Sequence, residues 1–242
     1  MPSAAREFAD RSVDPHVVGF LHTPETPNGD GLVLTHSAGG NAQAPLLRAL
    51  ADTFAAAGYT VLRCNLPFRQ ARSFGPPSPA DGARDRAGLR NAISALQKVM
   101  GAPLLADVAR SGLREQNASG KCCLGGHSYG GRQASMLCAE EPGLVAGLLL
   151  LSYPLHPPRR PGQQRTQHLP DLRTPTLFVS GTRDTFGSIE ELQKAMKMIL
   201  AKTSLMSIEG AGHDLGFKGK ESKNELPIRI LSEFTSLVGV SS

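Results

Sequence analysis

The 242-residue chain has no tryptophan, only three tyrosines and four cysteines, and each scarcity excludes something. So few large aromatics leave little for base stacking, and no helix-turn-helix, zinc-finger or RNA-binding signature accompanies the net charge of +5, whose basic residues are scattered. A nucleic-acid partner is therefore not expected. Cys64, Cys122, Cys123 and Cys138 show neither C-x-x-C spacing nor a Cys/His ligand pattern, so they are expected as buried free thiols with no metal bound. No run approaches the ~18 apolar residues of a membrane span. The first fourteen residues carry Arg6, Glu7, Asp10, Arg11 and Asp14 without an apolar stretch, unlike a secretory signal. A cytoplasmic location without membrane association is expected. Internal repeats and low-complexity tracts are absent as well.

What is present is ordinary globular composition, with 40% hydrophobic and 19% charged residues. A chain of this size buries about 70% of its unfolded surface, enough for one domain over residues 1–242. Short apolar runs alternate with amphipathic stretches, the pattern of strand-helix-strand units. Strands are expected at His16–His22, Gly31–His36, Tyr59–Asn65, Lys121–Gly125, Val145–Leu151, Thr176–Ser180 and Ser204–Ile208. Several are apolar throughout, which predicts a mainly parallel α/β sheet covered by helices on both faces.

Helical stripes run through Leu46, Leu47, Leu50, Phe54 and Ala57, ending at Gly58, and through Leu89, Ile93, Leu96 and Met100. Another runs through Ile189, Leu192, Met196 and Ile199 behind a Ser188/Glu191 capping box, and a last one through Leu226, Ile230, Phe234 and Leu237, with Pro227 near its start. The stretch Asn65–Asp81 reads as a long proline-bearing loop. Residues 101–120 extend the preceding helix or form an insertion, and the proline-rich Ser152–Thr174 lines or shields a pocket.

Chemistry enters where the strand at Lys121 runs into Gly126-His127-Ser128-Tyr129-Gly130-Gly131 and a helical stretch from Arg132 to Glu140. G-x-S-x-G between strand and helix forms a sharp turn that lifts the serine hydroxyl above the sheet, and small residues are needed two before and two after it. About 0.2 chance matches are expected in a chain of this composition, so the flanking context carries the weight. Two further loops supply it. Gly181-Thr182-Arg183-Asp184 follows one strand with an acid, and Gly210-Ala211-Gly212-His213 follows the next with a histidine. Serine, acid and histidine occur in the order of the nucleophile-elbow enzymes, each beyond the carboxyl end of a strand.

The expected roles follow. His213 takes the proton of Ser128 and Asp184 orients the imidazole. Asp214 reads as a local cap, and Glu190, Glu191 and Glu209 are rival acids. Oxyanion donors are expected from the backbone N–H of Tyr129 and from that of Ala38 in His36-Ser37-Ala38-Gly39-Gly40-Asn41, with Ser37 as the alternative. Arg69 and His156, on loops beyond strand ends, are expected to bind a carboxylate or phosphate of the substrate. His36 is expected to brace its loop.

With these motifs the chain resembles a small α/β hydrolase without a large cap domain. It is most similar to a bacterial dienelactone-hydrolase-like group related to the hydrolase domain of testis-expressed proteins and of a nonspecific-lethal chromatin-complex subunit. Arg63-Cys64-Asn65-Leu66-Pro67-Phe68-Arg69 and Tyr153-Pro154-Leu155-His156-Pro157-Pro158 look like that group's Asn-Phe-Pro-Tyr-Arg and Pro-Leu-His-Pro segments. Three positions depart from the pattern: Ser37 stands where glycine is usual, His127 where Lys or Arg is frequent, and Ser128 where true dienelactone hydrolases have cysteine. The resemblance implies a cofactor-free serine esterase or thioesterase acting on a small-molecule acyl substrate. The second reading is a catalytically silent interaction module on the same fold.

Overall fold

The computed structural model describes residues 5–101, 120–217 and 225–239. Eight strands form one sheet: β1 (Arg6–Asp10), β2 (Val17–His22), β3 (Gly31–Thr35), β4 (Thr60–Cys64), β5 (Cys122–His127), β6 (Gly147–Leu151), β7 (Thr176–Gly181) and β8 (Thr203–Ile208). Their spatial order is β1-β2-β4-β3-β5-β6-β7-β8. The pairs from β4 through β8 are parallel, and β1 and β2 add an antiparallel edge.

The apolar strands divide their side chains between two cores. In β6, Leu148 and Leu150 face one core while Leu149 and Leu151 face the other, and β3 splits Val33 from Leu32 and Leu34 in the same way. Burial on both faces is why these strands read as continuous apolar runs rather than alternating ones. Helices α1 (Pro45–Ala56) and α6 (Glu225–Val238) cover one face. The other face carries α2 (Pro67–Ala71), α3 (Asp81–Val99), α4 (Tyr129–Glu140) and α5 (Ile189–Met196). This is the α/β-hydrolase architecture in a single domain, with no large cap among the described residues. Among the described residues no helix is long and apolar enough to cross a membrane, and all four cysteines are buried and unpaired.

Differences from the expected elements have local causes. β1 carries no strand signal because its sequence, REFAD, has one large apolar residue and no repeating pattern, although Phe8 packs on the core and the strand pairs from Arg6↔Leu21 to Asp10↔Val17. Its charges suit an edge, where they discourage pairing with other chains. The supposed loop Asn65–Asp81 contains α2, started by Pro67, whose fixed φ suits a first helical position. Pro227 lies in the first turn of α6, where the missing N–H breaks no intrahelical bond. The capping box of α5 forms as expected, but the helix ends at Met196, and Ile199 is buried from the turn beyond it.

The segment 152–174 is pinned at both ends. The Tyr153 hydroxyl donates to Arg165 O (2.6 Å), Arg165 N–H to Leu155 O (2.8 Å), and Ser135 Oγ lies 2.8 Å from His168 Nε2. Its longest exposed run is residues 158–164. The other stretch left open by sequence, 101–120, falls almost wholly outside the described residues.

Candidate active site

Loops at the carboxyl ends of β5, β7 and β8 converge on Ser128. This residue takes φ 53° and ψ −116°, a strained conformation for a residue with a Cβ, and α4 begins at the next residue. The turn closes only because its flanks lack side chains. A Cβ on Gly126 would come within 2.5 Å of Gly131 N, and one on Gly130 within 2.4 Å of His36 O. The Gly130 approach also draws the loop after β3 against the start of α4.

His213 Nε2 lies 2.7 Å from Ser128 Oγ, and its Nδ1 lies 2.8 and 3.0 Å from the two Asp184 oxygens. A carboxylate beside Nδ1 selects the tautomer with Nδ1–H donating to it, so Nε2 faces the serine hydroxyl as an acceptor. The Asp184 side chain is 1% exposed, and its Oδ1 also accepts the Phe186 N–H at 2.8 Å. Asp214 caps its own loop by accepting the Gly216 N–H, and Glu191 is used in the α5 capping box.

Two residues that sequence reasoning gave no such role flank His213. The Phe186 ring stacks on the imidazole at 4.1 Å between centroids and 28° between planes. The His127 ring lies 5.5 Å away, and its Nε2–H donates to the His213 carbonyl at 2.9 Å. Burial holds His127 down to about 4, against the opposing hydrogen bond to the His213 carbonyl, so the ring stays neutral and keeps this tautomer. Neither contact is encoded by spacing, since both join loops far apart in sequence.

The loop His36–Ala42 is held from several sides. Asn65 Oδ1 accepts the Ala42 N–H at 2.8 Å, and Arg63 Nη1 donates to Ala42 O. His36 donates from Nδ1 to Ser37 O (2.8 Å) and accepts the Leu66 N–H at Nε2 (3.0 Å). Burial keeps His36 at about 4, hence neutral, and it braces its loop as expected. Among the described residues no backbone acceptor takes the N–H of Ala38 or of Tyr129. The Tyr129 hydroxyl donates to Asp85 Oδ2 (2.7 Å), whose Oδ1 accepts the Phe68 N–H (3.0 Å). Asp85 is wholly buried, which raises its pKa and ties α2, α3 and the start of α4 together; nothing in its neighbouring sequence advertised this.

Arg69 and His156 meet a different arrangement from the substrate contact expected of them. The Arg69 guanidinium is 7% exposed as a residue and donates to Ala38 O (2.7 Å), Gly40 O (2.9 Å), Gly75 O (2.9 Å) and Arg72 O (3.3 Å). His156 directs Nδ1 to Pro157 O (2.8 Å) and Nε2 to Glu191 (3.3 Å), while its backbone N–H holds Phe186 O (3.0 Å). Both side chains are engaged by the protein itself. No cluster of metal-ligating side chains occurs among the described residues.

Residues 29–228 match the model of the alpha/beta hydrolase domain family. Among solved structures, an alpha-beta serine hydrolase homologue from Coxiella burnetii superposes with TM-score 0.69 at 15% identity, covering 96% of this chain and 98% of the other. A dienelactone hydrolase from Anabaena variabilis gives 0.69 at 20% identity, covering 97% and 98%. A Xanthomonas campestris serine hydrolase described as lacking a lid gives 0.67 at 15% identity, covering 99% and 95%. At these identities the likeness is one of fold.

Proposed function

The chain belongs to the alpha/beta hydrolase domain family, and from that premise we propose that it is a serine hydrolase cleaving a carboxylic ester or related acyl bond, such as a thioester, through an acyl-enzyme on Ser128. The observation that carries this reading is the unbroken hydrogen-bonded chain Ser128–His213–Asp184 at 2.7 and 2.8 Å. As Ser128 Oγ attacks the carbonyl carbon, His213 Nε2 takes its proton, and Asp184 stabilises the imidazolium so formed. The N–H groups of Tyr129 and Ala38, free of backbone acceptors, serve the developing oxyanion. His213 then returns the proton to the leaving alcohol or thiol, and a water activated the same way releases the acid. No cofactor takes part.

The narrower kinship with testis-expressed and nonspecific-lethal proteins is proposed on the Arg63–Arg69 and Tyr153–Pro158 segments together with the motifs of the three loops. The test is fluorophosphonate labelling with p-nitrophenyl acetate turnover. The expected result is a single adduct on Ser128, lost with turnover in Ser128→Ala. A folded protein with neither adduct nor turnover would instead be a catalytically silent module.

A further inference from the structure

One guanidinium, one helical turn beyond Ser128, has a buried nitrogen without a partner among the described residues. Arg63, Arg69, Arg86 and Arg90 each have acceptors: His22 and Ala42 O, four carbonyls, Glu140 with Gln133, and Glu141. Arg132 has none among the described residues, and its Nε is buried without a partner. A buried N–H of a cationic group left without an acceptor is costly, and a guanidinium pairs most strongly with an anion that takes two of its N–H groups.

The surroundings reinforce this. Arg132 and Ser135 are three residues apart on one face of α4, and Ser135 is hydrogen-bonded to His168, so the 153–168 segment lies over that face. Arg165 comes from the same segment, with one nitrogen on Pro154 O at 3.3 Å and no carboxylate partner among the described residues. Arg132 crowds Arg165 electrostatically, and burial together with Arg132 and Arg86 keeps His168 neutral. The nearby Glu140 and Glu141 are already paired with Arg86 and Arg90.

The arrangement also points toward the nucleophile. The Arg132 N–H donates to Ser128 O, the first bond of α4, so Arg132 begins about 6 Å along the helix axis from Ser128. Helical side chains lean toward the N-terminus, which returns the guanidinium toward the level of Ser128.

We propose that Arg132 and Arg165 form a subsite for an oxyanion, a carboxylate or a phosphate, carried by the acyl substrate a few bonds from the scissile carbonyl. This rests on the serine-hydrolase reading and adds a substrate class to it.

The test compares kcat/KM for the p-nitrophenyl monoester of glutaric acid with that for neutral p-nitrophenyl valerate, in the full chain and in Arg132→Gln and Arg165→Gln. The expected preference for the anionic ester falls about 10- to 100-fold in Arg132→Gln, the usual worth of a hydrogen bond to a charged group, and less in Arg165→Gln. Calorimetric titration with inorganic phosphate forms the second arm, independent of turnover. Phosphate binding lost in Arg132→Gln, without preference for glutarate, identifies a phosphate-bearing ligand. Absence of both preference and phosphate binding overturns the subsite. Absence of all ester turnover with phosphate binding intact overturns the Ser128 reading and leaves the anion site standing.

Discussion

The two walls of the site are built differently. The β3–β4 wall, from His36 to Ala42, is held by buried cationic and amide side chains gripping backbone atoms: Arg63 and Asn65 on Ala42, Arg69 on Ala38 and Gly40. The β7–β8 wall centres on one ring: Asp184 hydrogen-bonds the His213 imidazole, Phe186 stacks on it, and His127 at the end of β5 lies beside it and donates to the His213 carbonyl. In the proposed mechanism the first wall fixes amides that hold still, while the second fixes an imidazole that changes protonation state in place. The first role calls for rigid geometry, and the second for a polar, stacked environment that tolerates a transient positive charge.

Four outcomes sharpen this contrast, the first three in falling order of their effect on rate. Asp184→Asn keeps the shape of the second wall but inverts its proton preference, so kcat should fall about 10³- to 10⁴-fold with little change in thermal midpoint. Near-native kcat in that variant would show that another group orients His213. Arg69→Gln leaves the Ala38 and Gly40 carbonyls without their donor. It should lose about 1–3 kcal/mol of stability by denaturant titration and about 10- to 100-fold in kcat as the Ala38 N–H drifts.

His127→Phe removes the donor to His213 O while filling the space. A fall in kcat of about three- to tenfold at constant KM, reversed in part by His127→Gln, is the expected signature of a positioning residue. The last outcome is read in stability against acid rather than in rate. His22 and His36 are fully buried, and burial holds both at about 4 against an ordinary 6.5. The unfolded chain therefore takes up protons first as pH falls, so their contribution is complete above pH 6.5 and is lost progressively toward pH 4. Each should lower stability by up to about 1.4 kcal/mol per pH unit in that window. Thermal midpoints measured from pH 7.5 to 4.5 would test this, and a flat profile would show that neither ring is held neutral.

Much of this was legible along the chain. Ser128, Asp184 and His213 each sit directly beyond a strand, so local pattern and chain order together revealed them. The elbow glycines were legible for the same reason, since a tight turn constrains its own neighbours. Arg69 and His156 show the opposite case. Their placement after strand ends suggested contact with a ligand, yet Arg69 hydrogen-bonds carbonyls 29 and 31 residues away and His156 reaches Glu191 across 35. Asp85 was silent because a carboxylate in an amphipathic helix looks the same whether it faces water or a buried tyrosine.

By itself, then, the sequence determined the α/β alternation, the order of the serine, acid and histidine, and the scarcity of cysteine pairs and aromatics that kept metal, disulfide and base-stacking readings out. Those features are set by residues close together in the chain or by composition. Only the tertiary structure decided which charges are engaged and which remain open. Hydrogen-bond partners of a long side chain are chosen by loops that meet only after folding, and that choice turned Arg69 into a brace and left Arg132 Nε, one helical turn from Ser128, buried without a partner among the described residues.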